Sequence, residues 1–416
     1  MEQVTTSRNK REQLRWFKEK EKALPYTKMQ KEKTPYCLMP WIHLHVTNEG
    51  QVNACCVANI NYGNLNEQDL EEIWNGEAIQ AIRKKFAKGE IDKRCHHCIQ
   101  REAAGAKSIR QETFENFPHI NIHTTDTHLP RYFDIRFSNV CNFRCRTCWH
   151  GASSKWYQDA KILGIQIGEK AIIKNIHEFK AFIQKTGKAL LQAEEIYFAG
   201  GEPLVTEEHY LLLEWLIKNK ATKTRLRYNT NFSMLKFKDF DVLSLWKHFP
   251  KVEILASIDA TGKLGEYIRK EMDWKTILEN REKIRRLRHL SFKIAPTVSI
   301  LNVLALPSLY QEAIRLDLIE PKYFYINLLE FPGYYNIQVM PDEKKEEVMA
   351  TYSQFFEWCK KYNMPNNVLR QFNDVINYMN QATPKSGKNR VQLWQKFLNV
   401  TKQLDEIRKE KRRSSL

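Results

Sequence analysis

From residue 131 to about residue 330, short apolar runs alternate with longer amphipathic stretches. The runs 131–138, 195–199, 224–228, 252–258, 292–299 and 323–328 are rich in β-branched and aromatic residues and read as strands. Between them, 170–186, 207–220, 239–248, 274–288 and 307–317 carry apolar residues at helical spacing. Six such units predict a parallel α/β sheet with ligands at the carboxyl ends of its strands. They are too few for a closed eight-fold barrel.

The flanks have a different rhythm. Residues 7–24 predict a basic helix with Leu14, Trp16 and Phe17 on a sparse apolar face, and Pro25 and Pro35 break the chain after it. Ile42–Thr47 alternates as a strand, Asn48-Glu49-Gly50 signals a turn, and Gln51–Cys55 reads as the returning strand of a hairpin. Helices are expected over 70–87, through Ile73, Trp74, Ile79, Ile82 and Phe86, and over 99–114. His119, His123 and His128 fall in a polar connector without helical register. Residues 341–413 read as helices burying Phe355, Phe356, Trp358, Val368, Phe372, Val375, Ile376, Leu393, Trp394 and Phe397. The expected organisation is a basic N-terminal segment (1–34), a cysteine-rich module (35–117), the α/β unit (131–340) and a helical, basic C-terminal extension (341–416).

Composition narrows the class. The 416 residues are 42% hydrophobic and 28% charged, as in a soluble globular protein, and no apolar run reaches the ~18–20 residues of a membrane span. The first residues lack the apolar core of a secretory signal, so a cytosolic location without membrane contact is expected. There, nine cysteines point to metal ligands rather than disulfides. The net charge of +17 is uneven: residues 1–33 carry ten Lys/Arg against five Asp/Glu, and 384–416 ten against three. Such ends suit nucleic acid or an acidic partner, or are simply solvated helical termini.

The cysteines fall in two groups. Cys141, Cys145 and Cys148 stand at C-x3-C-x2-C spacing on a loop leaving the first strand of the α/β unit. Thiolates so close can converge on one soft metal centre; three of them on a four-iron cluster leave one iron open, and a zinc site is the alternative. Cys37, Cys55 (or Cys56 in its place), Cys95 and Cys98 provide four thiols from the hairpin and a C-x2-C knuckle, a closed site for zinc or an iron–sulfur cluster. His96 and His97 flank the knuckle, and Cys359 reads as a buried structural thiol. The second strand ends in Gly200-Gly201-Glu202-Pro203, where two glycines allow close backbone approach to a ligand and a carboxylate follows. Asn229, Ser257, Asp259 and Ser299 sit at the next strand ends, with Asn302 nearby and Arg269 just after the fourth.

The cysteine loop together with Gly-Gly-Glu-Pro about sixty residues later resembles the radical SAM enzymes. That resemblance implies an open (β/α)6 partial TIM barrel and a [4Fe-4S] cluster on Cys141, Cys145 and Cys148. It also implies S-adenosylmethionine chelated to the fourth iron and cleaved reductively to a 5'-deoxyadenosyl radical. Glu202 and the backbone of Gly200, Gly201 and Pro203 would bind the methionine amino group, and Ser257, Asp259 and Arg269 the ribose or carboxylate. Asn229 and Ser299 would complete the cofactor contacts. The family usually places an aromatic residue just before the third cysteine. Here that position is Thr147, so Phe143 or Trp149 is the expected adenine neighbour. Cys37 with Pro40-Trp41, Gly50, Cys55, Ile73-Trp74-Asn75 and Cys95-x2-Cys98 resemble the twitch and SPASM auxiliary-cluster modules, placed here before the barrel. The resemblance implies one or two [4Fe-4S] clusters, an electron donor such as flavodoxin or ferredoxin, and a peptide, protein or small molecule undergoing oxidation or cross-linking. An RNA-modifying enzyme, or a non-catalytic zinc or iron–sulfur module binding nucleic acid, is the alternative.

Overall fold

The computed structural model describes residues 36–103, 107–120, 122, 129–175, 178–381 and 388–410. The expected helix at 7–24 and the histidines His123 and His128 lie outside the described residues. One eight-stranded sheet organises the chain. Its strands are β1 (His43–Val46), β2 (Gln51–Cys55), β3 (Ala58–Asn64), β4 (Tyr132–Ile135), β5 (Glu195–Phe198), β6 (Arg225–Thr230), β7 (Val252–Ala256) and β8 (Leu290–Ile294). Their order is β8-β7-β6-β5-β4-β1-β2-β3. Strands β4 to β8 are mutually parallel. The fifth run resumes as β9 (Thr297–Val298), which pairs in parallel with β10 (Asn327–Leu328) of the sixth. The fold is therefore the α/β partial barrel expected, with the cysteine-rich module before it and helices after it.

One feature was not expected. The hairpin is not a separate module: β1 pairs in parallel with β4, His45 opposite Asp134, so the auxiliary strands extend the barrel sheet. A third strand, β3, also follows Cys55.

Alternation along the barrel strands explains the layering. Phe133, Ile135, Ile196, Phe198, Leu226, Tyr228 and Ile254 are buried against the helices. The intervening positions, Asp134, Arg136, Tyr197, Arg227, Glu253 and Lys293, face the concave side. Parallel sheets covered on both faces are ordinarily apolar on both. This polar inner face marks a lumen rather than a packed core.

Several elements differ from the sequence expectation for local reasons. The helix over 70–87 is two helices, Leu70–Asn75 and Glu77–Ala87, broken at Gly76, whose backbone is extended. The helix over 99–114 is also two, His96–Ala103 and Ile109–Asn116, the second started by a Ser108/Gln111 capping box. The run 292–299 ends as a strand at Ile294 and resumes at Thr297; Pro296, which has no N–H to donate, lies between. The expected helix 170–186 begins only at Phe179, and Trp156–Ile162 forms a helix that no periodicity announced.

Candidate active site

The three-cysteine loop is held by a short antiparallel pairing of Arg144–Cys145 with Arg269–Lys270 and by hydrogen bonds to backbone. Asn139 anchors its start: the side-chain amide donates to His150 O (2.9 Å) and Ala171 O (3.0 Å), and its carbonyl accepts from Ile173 N (2.8 Å). Ser153 Oγ donates to Phe143 O at 2.6 Å, and Trp156 Nε1 to Cys145 O at 2.5 Å. Cys141, Cys145 and Cys148 are all half-buried. Burial pushes each thiol up, Cys148 to about 12, and for Cys145 the Arg269 guanidinium opposes the rise. Three half-buried thiols whose ionised forms would repel one another suit a positively charged metal centre that would hold them as thiolates.

The Gly-Gly-Glu-Pro turn is packed directly on this loop. Gly200 and Gly201 have φ of +77° and +50°, and a Cβ on Gly201 would stand 2.2 Å from Val140 O. Only glycine fits there. Glu202 N donates to the same Val140 O at 2.8 Å, one residue before Cys141. The Glu202 carboxylate is buried and accepts from Leu204 N (3.0 Å), Thr230 Oγ1 (2.6 Å) and Asn231 N (2.6 Å). Burial outweighs these donors and pushes its pKa up to about 7. A buried carboxylate poised in this way is a receptor for an ammonium group.

The remaining expected residues are placed as follows. Asp259 and Arg269 are paired, with Nη2 to Oδ1 at 3.0 Å and Nε to Oδ2 at 2.8 Å, and Arg269 Nη1 reaches Cys145 Sγ at 3.7 Å. Asp259 also accepts from Thr297 N at 2.8 Å. Asn229 and Ser257 lie half-buried at the ends of β6 and β7. Ser299 is fully buried, and its hydroxyl contacts Asn302 and Leu301 N within its own loop. Phe143 is buried in the core, Thr147 is half-buried, and Trp149 is 46% exposed at the rim.

The second group of thiols is gathered in an apolar pocket. Cys37, Cys55, Cys95 and Cys98 line one cavity with Met39, Ile60, Phe86 and Ile109. Cys56 does not line it; it stands exposed beside Asp134 and Arg136 on the lumen side. Burial pushes Cys37 to about 12 and Cys95 to about 11, and raises Cys55 and Cys98. Among the described residues, no three His, Cys, Asp or Glu side chains converge as a single-ion site requires. In a four-iron cluster each thiolate holds a different iron, so its sulfurs stand farther apart than around one zinc ion. Three and four cysteine thiols are donor sets that iron–sulfur clusters use.

Two family models match the chain: the radical SAM superfamily over residues 135–307 and the SPASM iron–sulfur cluster-binding domain over residues 37–99. The chain carries a radical SAM domain preceded by a SPASM domain. Its cofactors are [4Fe-4S] clusters and S-adenosylmethionine. Among solved structures, Streptococcus suis SuiB bound to S-adenosylmethionine is similar at 13% identity over 77% of this chain and 68% of that one, with a TM-score of 0.36. TYW1 with a lysine-pyruvate adduct bound is similar at 12% identity over 64% of this chain and 90% of that one, with a TM-score of 0.30. No curated protein matches by sequence. In this radical SAM protein no helix among the described residues is long and apolar enough to cross a membrane.

Sequence reasoning missed the clamp on the cysteine loop. Arg146, between the second and third cysteines, has a fully buried side chain. It donates to Tyr267 O at 3.0 Å and pairs at 2.5 Å with both Asp405 and Glu410, more than 250 residues away. Beside it Arg408 is paired with buried Asp159 at 2.7 Å, and Asp159 also holds Arg144 at 3.2 Å. The C-terminal helix Lys388–Arg408 and the turn after it therefore grip the loop that carries the thiols. A basic residue between two cysteines and two acids near the end of the chain carry no signal of their pairing.

Proposed function

We propose that this chain uses S-adenosylmethionine to abstract a hydrogen atom from a peptide, protein or small molecule, leading to oxidation or cross-linking. When bound, the cluster and S-adenosylmethionine supply an electron and a 5'-deoxyadenosyl radical. Cys141, Cys145 and Cys148 would hold that cluster, while Cys37, Cys55, Cys95 and Cys98 would hold the auxiliary one. Glu202 would receive the methionine ammonium, and Asp259, which pairs with Arg269, would orient that guanidinium for the cofactor carboxylate. Trp149 stands at the rim, where an adenine ring has an aromatic face to pack on. The reducing electron comes from outside the chain, from a flavodoxin- or ferredoxin-type donor in the cytosol. The observation carrying this reading is the seating of the Gly-Gly-Glu-Pro turn on the backbone just before Cys141.

Anaerobic reconstitution with dithionite and S-adenosylmethionine tests it. The wild-type chain should release 5'-deoxyadenosine and carry about eight irons, four per cluster on each thiol group. A chain that holds iron and releases no 5'-deoxyadenosine would end the proposal.

A further inference from the structure

The lumen opens into a cavity of about 470 Å³ that the cofactor reading does not use. Such a volume suits a small ligand or a few side chains of a larger one. Its inner wall is Arg227, Glu253 and Lys293, inward-facing residues of the barrel strands, with Tyr325 from the segment before β10. Its outer wall comes from both flanks: Arg101 from the auxiliary module, and Arg370 and Asp374 from the helix Asn366–Asn380. The walls touch where Tyr325 Oη donates to Glu112 Oε1 at 3.2 Å.

Sheet register ties the cavity to the cofactor side. Arg227 lies opposite Glu253, and two residues further along the same strands Asn229 lies opposite Leu255, which is opposite Lys293. Lys293 thus shares a layer with Asn229 at the strand ends, and Arg227 sits about 7 Å below it. The cavity's inner wall therefore runs up to the layer of Asn229 at the strand ends.

The charge of the walls is not balanced. Six cationic side chains face four carboxylates. On the inner wall Glu253 is matched by Lys293 and by Arg227 at 3.4 Å. Lys107 is paired with Glu115, and Lys322 with Glu320 just outside the cavity. On the outer wall Arg101 and Arg370 share Asp374, whose carboxyl burial pushes up to about 6. Two guanidinium groups beside Glu112 and an Asp374 carboxyl that burial makes harder to ionise favour planar anions that accept two hydrogen bonds.

We propose that this cavity is the substrate site and that it selects a carboxylate-bearing substrate, held by Arg370 and Arg101 while its remainder points up the lumen. This rests on the radical SAM reading and gives it a substrate class. The test is equilibrium binding to the anaerobic, cluster-loaded full chain, with tetraglutamate, glutarate, tetralysine and inorganic phosphate as probes. Tetraglutamate or glutarate should bind and tetralysine should not; tetraglutamate the tighter points to a peptide, glutarate to a free acid. Arg370→Ala, at an exposed position, should weaken the acidic probe about tenfold. Asp374→Asn should tighten it, a direction that damage to the fold would not produce. Equal binding of tetralysine, preference for phosphate, or indifference to both substitutions would overturn the assignment. Loss of 5'-deoxyadenosine from the wild-type chain would instead strike the chemistry and leave this binding result standing.

Discussion

The two thiol groups of this chain solve different problems within one sheet. Cys37, Cys55, Cys95 and Cys98 line an apolar cavity closed by Met39, Ile60, Phe86 and Ile109. Cys141, Cys145 and Cys148 sit in a polar setting, with Glu202 behind them, Arg269 at 3.7 Å from one sulfur and Arg146 gripped from the chain's far end. A dry, four-thiol pocket satisfies a cluster fully and leaves it nothing further to bind. A three-thiol loop with charged neighbours leaves room for a polar cofactor and must be held in place from outside. The end of β2 also separates the two environments: Cys55, its last residue, lines the closed pocket, and Cys56, in the turn after it, stands beside Asp134 and Arg136.

Replacing single thiols tests that contrast most severely. Cys145→Ala should abolish 5'-deoxyadenosine release and remove about four irons per chain, whereas Cys98→Ala should remove a similar amount and leave release measurable. If either loss empties both sites, the two groups are not independent. Next in size is the clamp. Asp405→Asn with Glu410→Gln leaves the Arg146 charge buried without its carboxylates, a loss on the order of 3–5 kcal/mol. Iron analysis should then show the loop site emptied and the auxiliary site retained; uniform loss would mean that the helix supports the whole fold.

A smaller effect comes from Glu202. Its folded pKa lies near 7, above the ordinary 4.5. Between those values the folded chain keeps a proton that the unfolded chain has released, so stability of the cofactor-free chain falls as pH rises from 4.5 to 7. Binding of the cofactor ammonium requires the ionised form. Affinity for S-adenosylmethionine should therefore drop about tenfold per pH unit below 7, and Glu202→Gln should bind weakly with a flat profile. Calorimetric titration from pH 5.5 to 8 reads this directly, and a flat wild-type profile would remove Glu202 from the ammonium site. Least of all, Cys56→Ser should leave iron content unchanged while Cys55→Ser lowers it, and an iron assay on the pair decides which thiol serves the auxiliary site.

Much of this was legible because it is local. The spacing of Cys141, Cys145 and Cys148, the double glycine at 200–201 and the alternation of 252–256 depend on residues a few positions apart, and the chemistry and the strand period follow from them. Element ends were less legible: Gly76 divided one helix, and the strand expected through Pro296 stopped at Ile294.

By itself, then, the order of residues determined the class of fold, the presence of two thiol groups and the cofactor chemistry. Tertiary structure alone decided that β1 joins the barrel sheet beside β4, that Arg146 is met by Asp405 and Glu410, that Cys55 rather than Cys56 faces the closed pocket, and that charges from three regions wall one cavity. Each of these brings together groups from separate elements or depends on which way a strand faces. Such contacts are set by packing of whole elements, and a local pattern of residues carries no record of them.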